Sequence, residues 1–420
     1  MAKLQLLLLL FLFSFAAAPS MTGVVGINVG RLIRRLFPKR PFKPKPDLPN
    51  LPPPSSPPPP SNAPSNAPSS PLRPNNAPST DVQTLLYSGD YTFLMELAIG
   101  TPPLSYSAIM STGSDLIWTR YVPCHYCASQ PTSLYDPSQS STYANYSCDP
   151  SAADCSYYYG YGDSSFTQGF LGFETFTFGS AVVPDIAFGC GNNNSGDFDN
   201  SSGIVGMGRG SWSLVSQLGY GRFSYCLTPF GDTNTSPLLL GDMVTLTAQA
   251  QSTPFVPNPP SWPSFYYLSL QGITVGGTEL PIPSTTFSIA ADGTGGMIID
   301  SSTTLTMLVD PAYSELKGAF ESQMNLPVAD GSAYGLDICF AYGGENVTVP
   351  GLVFHFEGAD MELPSDNYIA ADSSVGLLCV VVVASSDLSI FGNYMQQNMH
   401  VLYDLVGETL SFEAAQCDQL

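Results

Sequence analysis

AIMSTGSDLIW, Ala108 to Trp118, and GMIIDSSTTLT, Gly296 to Thr306, are two versions of one pattern. In each, apolar residues run into a turn of small polar residues and out again into apolar ones, which reads as two buried strand ends joined by a tight connection. The second turn opens on Asp300, and the first has Ser111 in that place. The difference matters chemically, because a carboxylate ionises near neutrality and an alcohol does not.

The parts around the two turns also recur in order. YTFLMELAIGTPP (Tyr91 to Pro103), the Ser111 turn and GIVGMG (Gly203 to Gly208) form one series. FYYLSLQGITVGG (Phe265 to Gly277), the Asp300 turn and SIFGN (Ser389 to Asn393) form the other. An alternating strand leads, a small-residue turn follows, and an apolar pair before glycine closes each series. Such a long repeat is a duplicated lobe rather than a solenoid. Gly113, Gly206 and Gly392 stand where a turn passing under a neighbouring strand has no room for a Cβ. Two similar β lobes facing each other leave a cleft, the usual place for a ligand.

Composition agrees. Charged residues are 11% of the 420, apolar residues 44%, and Gly, Ser, Thr, Tyr and Phe are abundant, so the expected class is mainly β. The expected boundaries are a signal peptide at 1–18, a basic and then Pro-rich segment at 19–80, an N-terminal lobe at 81–242 and a C-terminal lobe at 243–420. Lys3, the apolar run Leu4 to Phe15 and Ala16 to Ala18 have the form of a secretory signal, too short to span a bilayer. No membrane anchor is expected. The stretch from Pro38 to Ser79, with SSPPPPSNAPSNAPSS from Ser55, cannot bury a core and reads as an extended linker. Its Ser-Pro run resembles plant wall glycoproteins, so wall contact and a plain linker both stand.

Nine of the thirteen basic residues precede residue 81, whereas the remainder holds four cations against 33 acids, a net of −29. That body repels nucleic acid and anionic membranes. It suits an acidic extracellular space or vacuole, or serves solubility alone. The basic stretch GRLIRRLFPKR, Gly30 to Arg40, reads as a pro-segment for an acidic cleft, or as a membrane- or polysaccharide-binding arm. Nine cysteines in an exported chain imply disulfides with one thiol left over. The CHYC run at Cys124 to Cys127 reads as structural; a redox pair or half a zinc site lacks its second element, and no metal or other cofactor is expected. Sequons stand at Asn145, Asn193, Asn200, Asn234 and Asn346.

These features resemble the pepsin-like aspartic peptidase family, and within it the plant nepenthesin-like branch. IGTPP at Ile99, SDLIWT at Ser114, YGDSS at Tyr161, ETFTFG at Glu174, FGCG at Phe188, GRGSWSLVSQLG at Gly208, FSYCL at Phe223 and GNYMQQNMHVLYD at Gly392 carry the likeness. It covers about Tyr91 to Cys417 and implies a bilobal fold whose lobes each lend one aspartate to a shared site. The catalytic positions it implies are Asp300 and Ser111, the latter in place of an aspartate. Thr112, Gly113, Ser114, Ser301, Ser302 and Thr303 are implied as supports of the two turns. Tyr161, Gly162 and Asp163 are implied as a flap over the substrate, with Asp163 open to the plainer reading of a turn acid. The resemblance also implies disulfides Cys339–Cys379 and Cys226–Cys417.

The family hydrolyses amides with two carboxylates close enough that one stays protonated and the other ionised. Ser111 cannot take either part, and no nearby histidine is available to activate it. Ser302 and Ser164 stand where the family has glycine, and each is expected to crowd the cleft. The expected function is a secreted peptidase homologue whose cleft binds an extended peptide or protein with hydrolysis lost or severely weakened. The rivals are a working endopeptidase relying on Asp300, and a glycosidase-inhibitor-like or wall-associated binding protein.

Overall fold

The computed structural model describes residues 82–128, 130–148 and 155–420. The expected signal, basic leader and Pro-rich segment lie outside the described residues.

One antiparallel sheet joins the two halves of the chain. Its strands run Val82–Ser88, Ser236–Leu240, Arg222–Cys226, Met399–Asp404, Thr409–Ala414 and Gln251–Val256. The seam between halves is the pairing of Arg222–Cys226 with Met399–Asp404, in register from Arg222 opposite Asp404 to Cys226 opposite His400. Aromatic residues pack it: the Phe223 and Tyr403 rings stack with centroids 4.5 Å apart, and the Tyr225 hydroxyl is 2.8 Å from that of Tyr403. Large rings fill such a junction with little side-chain entropy to lose. Burial alternates along Val82–Leu86, as one covered face requires, whereas Phe93–Ile99 is covered on both faces but for Glu96 and is correspondingly almost wholly apolar.

The two turns are built alike. Leu104–Ser111 runs parallel to Gly203–Gly206, with Ser111 opposite Gly206, and Met297–Ile299 runs parallel to Ser389–Phe391, with Ile299 opposite Phe391. The chain leaving each turn then passes across the glycine of the neighbouring strand. A Cβ on Gly206 would lie 2.2 Å from the Asp115 carbonyl carbon, and one on Gly392 would lie 2.6 Å from that of Leu305. Neither site has space for any side chain. The molecule is thus mainly β, with two similarly built lobes that meet at these turns.

Cys226 is bonded to Cys417 and Cys339 to Cys379, and Cys124–Cys127 and Cys148–Cys155 are also paired. Cys190 is free and buried.

Candidate functional site

The lobes meet through reciprocal hydrogen bonds between the turns. Thr112 N donates to Ser301 Oγ at 3.0 Å, Ser301 N donates to Thr112 Oγ1 at 2.9 Å, and Ser301 Oγ donates to Met110 O at 2.8 Å. Thr112 and Ser301 are fully buried, so these bonds form where no water competes. They bring the first residue of each turn, Ser111 and Asp300, to the same place.

Asp300 is 7% exposed and Ser111 2%. Around the Asp300 carboxylate, Gly113 N donates to Oδ1 at 3.0 Å and Ser302 N to Oδ1 at 2.9 Å. Ser302 Oγ donates to Oδ1 at 2.9 Å and Thr303 Oγ1 to Oδ2 at 2.7 Å. On the other side, Ser114 Oγ donates to Ser111 Oγ at 2.8 Å, and Ser111 Oγ lies 2.9 Å from Ser302 Oγ. Proton accounting fixes the remaining direction. Ser302 has one hydroxyl hydrogen and gives it to the carboxylate, so the hydrogen between the two serines comes from Ser111. The result is a single-file relay, Ser114 to Ser111 to Ser302 to Asp300, in which every hydroxyl hydrogen is committed.

This corrects the expectation for Ser302. Its side chain does not crowd the turn; it bridges Ser111 and Asp300. Ser164 also departs from expectation. It is exposed, with φ of 68°, so its side chain adds the cost of a left-handed backbone rather than a steric block.

The hairpin Ser156–Gly160 and Phe166–Phe178 carries the remaining candidates at its tip. Half-buried Tyr161 accepts a hydrogen bond from Trp118 Nε1 at 2.7 Å and packs against Tyr159 and Phe198. Trp118 follows the Ser111 turn, so the tip is tied to the strand leaving that turn. Gly162 and Asp163 are exposed, and Asp163 Oδ1 accepts from Ser165 N and Oγ at 2.9 and 2.6 Å. That geometry makes Asp163 a turn acid.

Four supports were not legible in the sequence. Asp115, 1% exposed, accepts from Gly210 N at 2.9 Å and from Ser264 Oγ, and burial pushes its carboxyl up to about 6 against those two lowering bonds. Thr304 Oγ1 donates to Tyr91 O at 2.6 Å, and Asn393 Nδ2 donates to Ser301 O at 2.9 Å. Asp199 caps the turn before Phe93, accepting from the backbone of Asp90, Tyr91 and Thr92. Each acts across more than 90 residues of chain, a distance over which no local pattern signals the partner.

Among the described residues no cluster of His, Cys, Asp and Glu could hold a metal, and no helix is long and apolar enough to cross a membrane.

Residues 93–242 match the family model described as xylanase inhibitor N-terminal, and residues 265–414 the one described as xylanase inhibitor C-terminal. The chain is 47% identical over 353 residues to aspartic proteinase nepenthesin-1 of Nepenthes gracilis, with 80% of each chain covered. It is 46% identical to aspartic proteinase nepenthesin-2 of the same plant, again with 80% of each covered. Among solved structures, basic 7S globulin from soybean superposes with a TM-score of 0.66 at 17% identity, over 81% of this chain and 98% of that one. At that identity the likeness concerns the fold, which is the pepsin-like one.

Proposed function

The chain belongs to the family of plant pepsin-like aspartic proteinases that includes the nepenthesins, and from that premise we propose that it binds an extended peptide or protein in its cleft with hydrolysis lost or severely weakened. The observation that carries this reading is the hydroxyl relay. Hydrolysis by two carboxylates needs one to take a proton from water while the other donates to the substrate carbonyl. Asp300 is a single carboxylate, and Ser111 is an alcohol whose hydrogen is already given to Ser302. A lone carboxylate has no like-charged neighbour to share a proton with, so the state with one proton between two acids does not arise.

Under the same proposal the chain is exported, into an extracellular space or a vacuole, and the basic Gly30 to Arg40 stretch and the Pro-rich segment act before or beside the folded body. The strongly acidic body favours protein ligands with basic surfaces over nucleic acid. Binding that blocks another enzyme, as the names of the two matching family models suggest for their members, is one form of this reading.

The second reading is an active endopeptidase relying on Asp300, and the names of the nepenthesin relatives favour it. The two separate in one experiment. Purified protein lacking the N-terminal segment is assayed for peptide cleavage at acid pH, beside Asp300→Asn, with and without a peptide-like aspartic peptidase inhibitor. We expect no turnover that depends on Asp300, together with saturable binding of the inhibitor. Turnover that is lost on Asp300→Asn would establish the endopeptidase instead.

A further inference from the structure

The outer face of the hairpin that carries Tyr161 has a composition unlike the rest of this acidic molecule. SYYYG (156–160), FTQGF (166–170) and CGNNNS (190–195) contain no charged residue. Their pairing places Tyr158 opposite Gln168 and Gln168 opposite Asn193, and a parallel bridge sets Tyr126 beside Asn193. Directly paired residues share a face. Two contacts agree: Asn193 Nδ2 donates to Gln168 Oε1 at 3.1 Å, and the Tyr158 ring stacks on Phe166 with centroids 5.4 Å apart. The intervening residues Tyr157, Tyr159, Thr167 and Asn194 are buried on the opposite face. Tyr126 is 65% exposed and Tyr158 40%. Across adjacent strands the outer surface therefore reads aromatic, amide, amide, aromatic, over about 14 Å at ordinary strand spacing.

Asn193 is also the acceptor of the sequon Asn193-Asn194-Ser195. We propose that Asn193 carries an N-linked glycan whose first sugars lie along this face, between Tyr126 and the Tyr158–Phe166 pair. The amide has the right hydrogens for it. An asparagine Nδ2 bears two N–H groups, and attachment consumes one, leaving the other for Gln168. In the transfer, Nδ2 forms the bond to C1 of a sugar from a lipid-linked oligosaccharide diphosphate. The C1–O bond breaks, the lipid diphosphate leaves with its electron pair, and the nitrogen gives up one proton. The apolar faces of the sugar rings then cover aromatic surface that is exposed among the described residues, and their hydroxyls meet the amide of Gln168. Because the same hairpin ends at Tyr161, the glycan braces the flap from behind.

The proposal rests on export, and its test separates the two. The full chain, leader included, is expressed in plant cells and its glycopeptides are read by mass spectrometry. Asn234 and Asn346, both exposed and outside any strand or helix, serve as internal reporters of passage through the secretory route. We expect sugar at Asn193 that disappears in Ser195→Ala, a change that leaves the asparagine in place. Tyr158→Ala should then lower Tm by about 2 °C in the glycosylated protein and by clearly less in the Ser195→Ala background, with Tyr126→Ser behaving likewise. Glycans at the reporters with Asn193 bare would overturn the site. Equal losses in both backgrounds would overturn the packing. Bare asparagines throughout would refute the export reading and this proposal with it.

Discussion

The Ser111 turn and the Asp300 turn share a backbone and differ in their chemistry. Each ends a strand parallel to the partner strand that supplies its glycine, and each holds its third residue against the other's first. The fifth residues correspond as well. Thr304 reaches to the backbone of Tyr91, at the entrance of the first lobe's leading strand, and Asp115 reaches to Ser264, at the entrance of the second's. The scaffold is thus symmetric while the acids are not. One turn has its carboxylate at the centre; the other has one only at the edge, buried and turned to Ser264. Architecture of this kind depends on hydrogen bonds that many side chains can make, whereas dyad chemistry depends on one functional group in each copy.

The comparison breaks most visibly if the first turn is made chemically like the second. Ser111→Asp combined with Ser302→Gly creates two facing carboxylates and removes the bridging hydroxyl, and acid-pH cleavage should rise by roughly 10³-fold or more. Ser111→Asp alone should give far less, since Ser302 Oγ occupies the space between. A peptide-hydrolysis assay checks this, and activity that survives Asp300→Asn in the double variant would show that no dyad was made.

The edge acid sharpens the comparison through pH. Asp115 is raised to about 6 by burial, so the folded state binds a proton that the unfolded state releases near pH 4. Its contribution is fully present below about pH 4 and is lost as pH rises through about 6, on the order of 3 kcal/mol for a shift of about two units. Urea unfolding across pH should show stability falling over that window, and Asp115→Asn should flatten that part of the curve. An unchanged pH profile would remove Asp115 from the account.

The symmetric contacts are tested by Ser301→Ala, which leaves Thr112 N–H and Met110 C=O buried without their partner. The loss should be about 1–3 kcal/mol, seen as a lower Tm. The smallest effect concerns the flap. Ser164→Gly relieves a left-handed residue and should stabilise the protein by at most about 1 kcal/mol, measured by the same unfolding curves.

The lobes, their order and the meeting of the two turns were legible because duplication writes them twice, with glycines where strands must cross. The cysteine pairings at Cys226 and Cys339 were legible only through family resemblance, since spacing alone leaves many connectivities open. Ser302 shows the limit of reading departures. A serine in place of glycine signals a difference, but whether its hydroxyl clashes or bridges depends on what lies within 3 Å, and here that is Ser111, 191 residues away. Asp115 was legible as part of a motif and not as a buried acid, because Ser264, 149 residues on, supplies its hydrogen bond. Ser164 was misread for the converse reason: the tip of the hairpin is open to solvent, and its side chain is exposed there.

The seam between the halves has a consequence for the protein as a covalent object. Cys226–Cys417 spans 191 residues and is the one disulfide, among the described residues, that crosses the exposed connection near residues 242–250. A protease that nicks this connection would produce two polypeptides that remain one particle, zipped by a shared sheet and tethered by a single sulfur bridge. On a denaturing gel the nicked protein runs as one band until a thiol is added, and only then as two. A preparation judged intact without reductant can therefore already be a two-chain molecule.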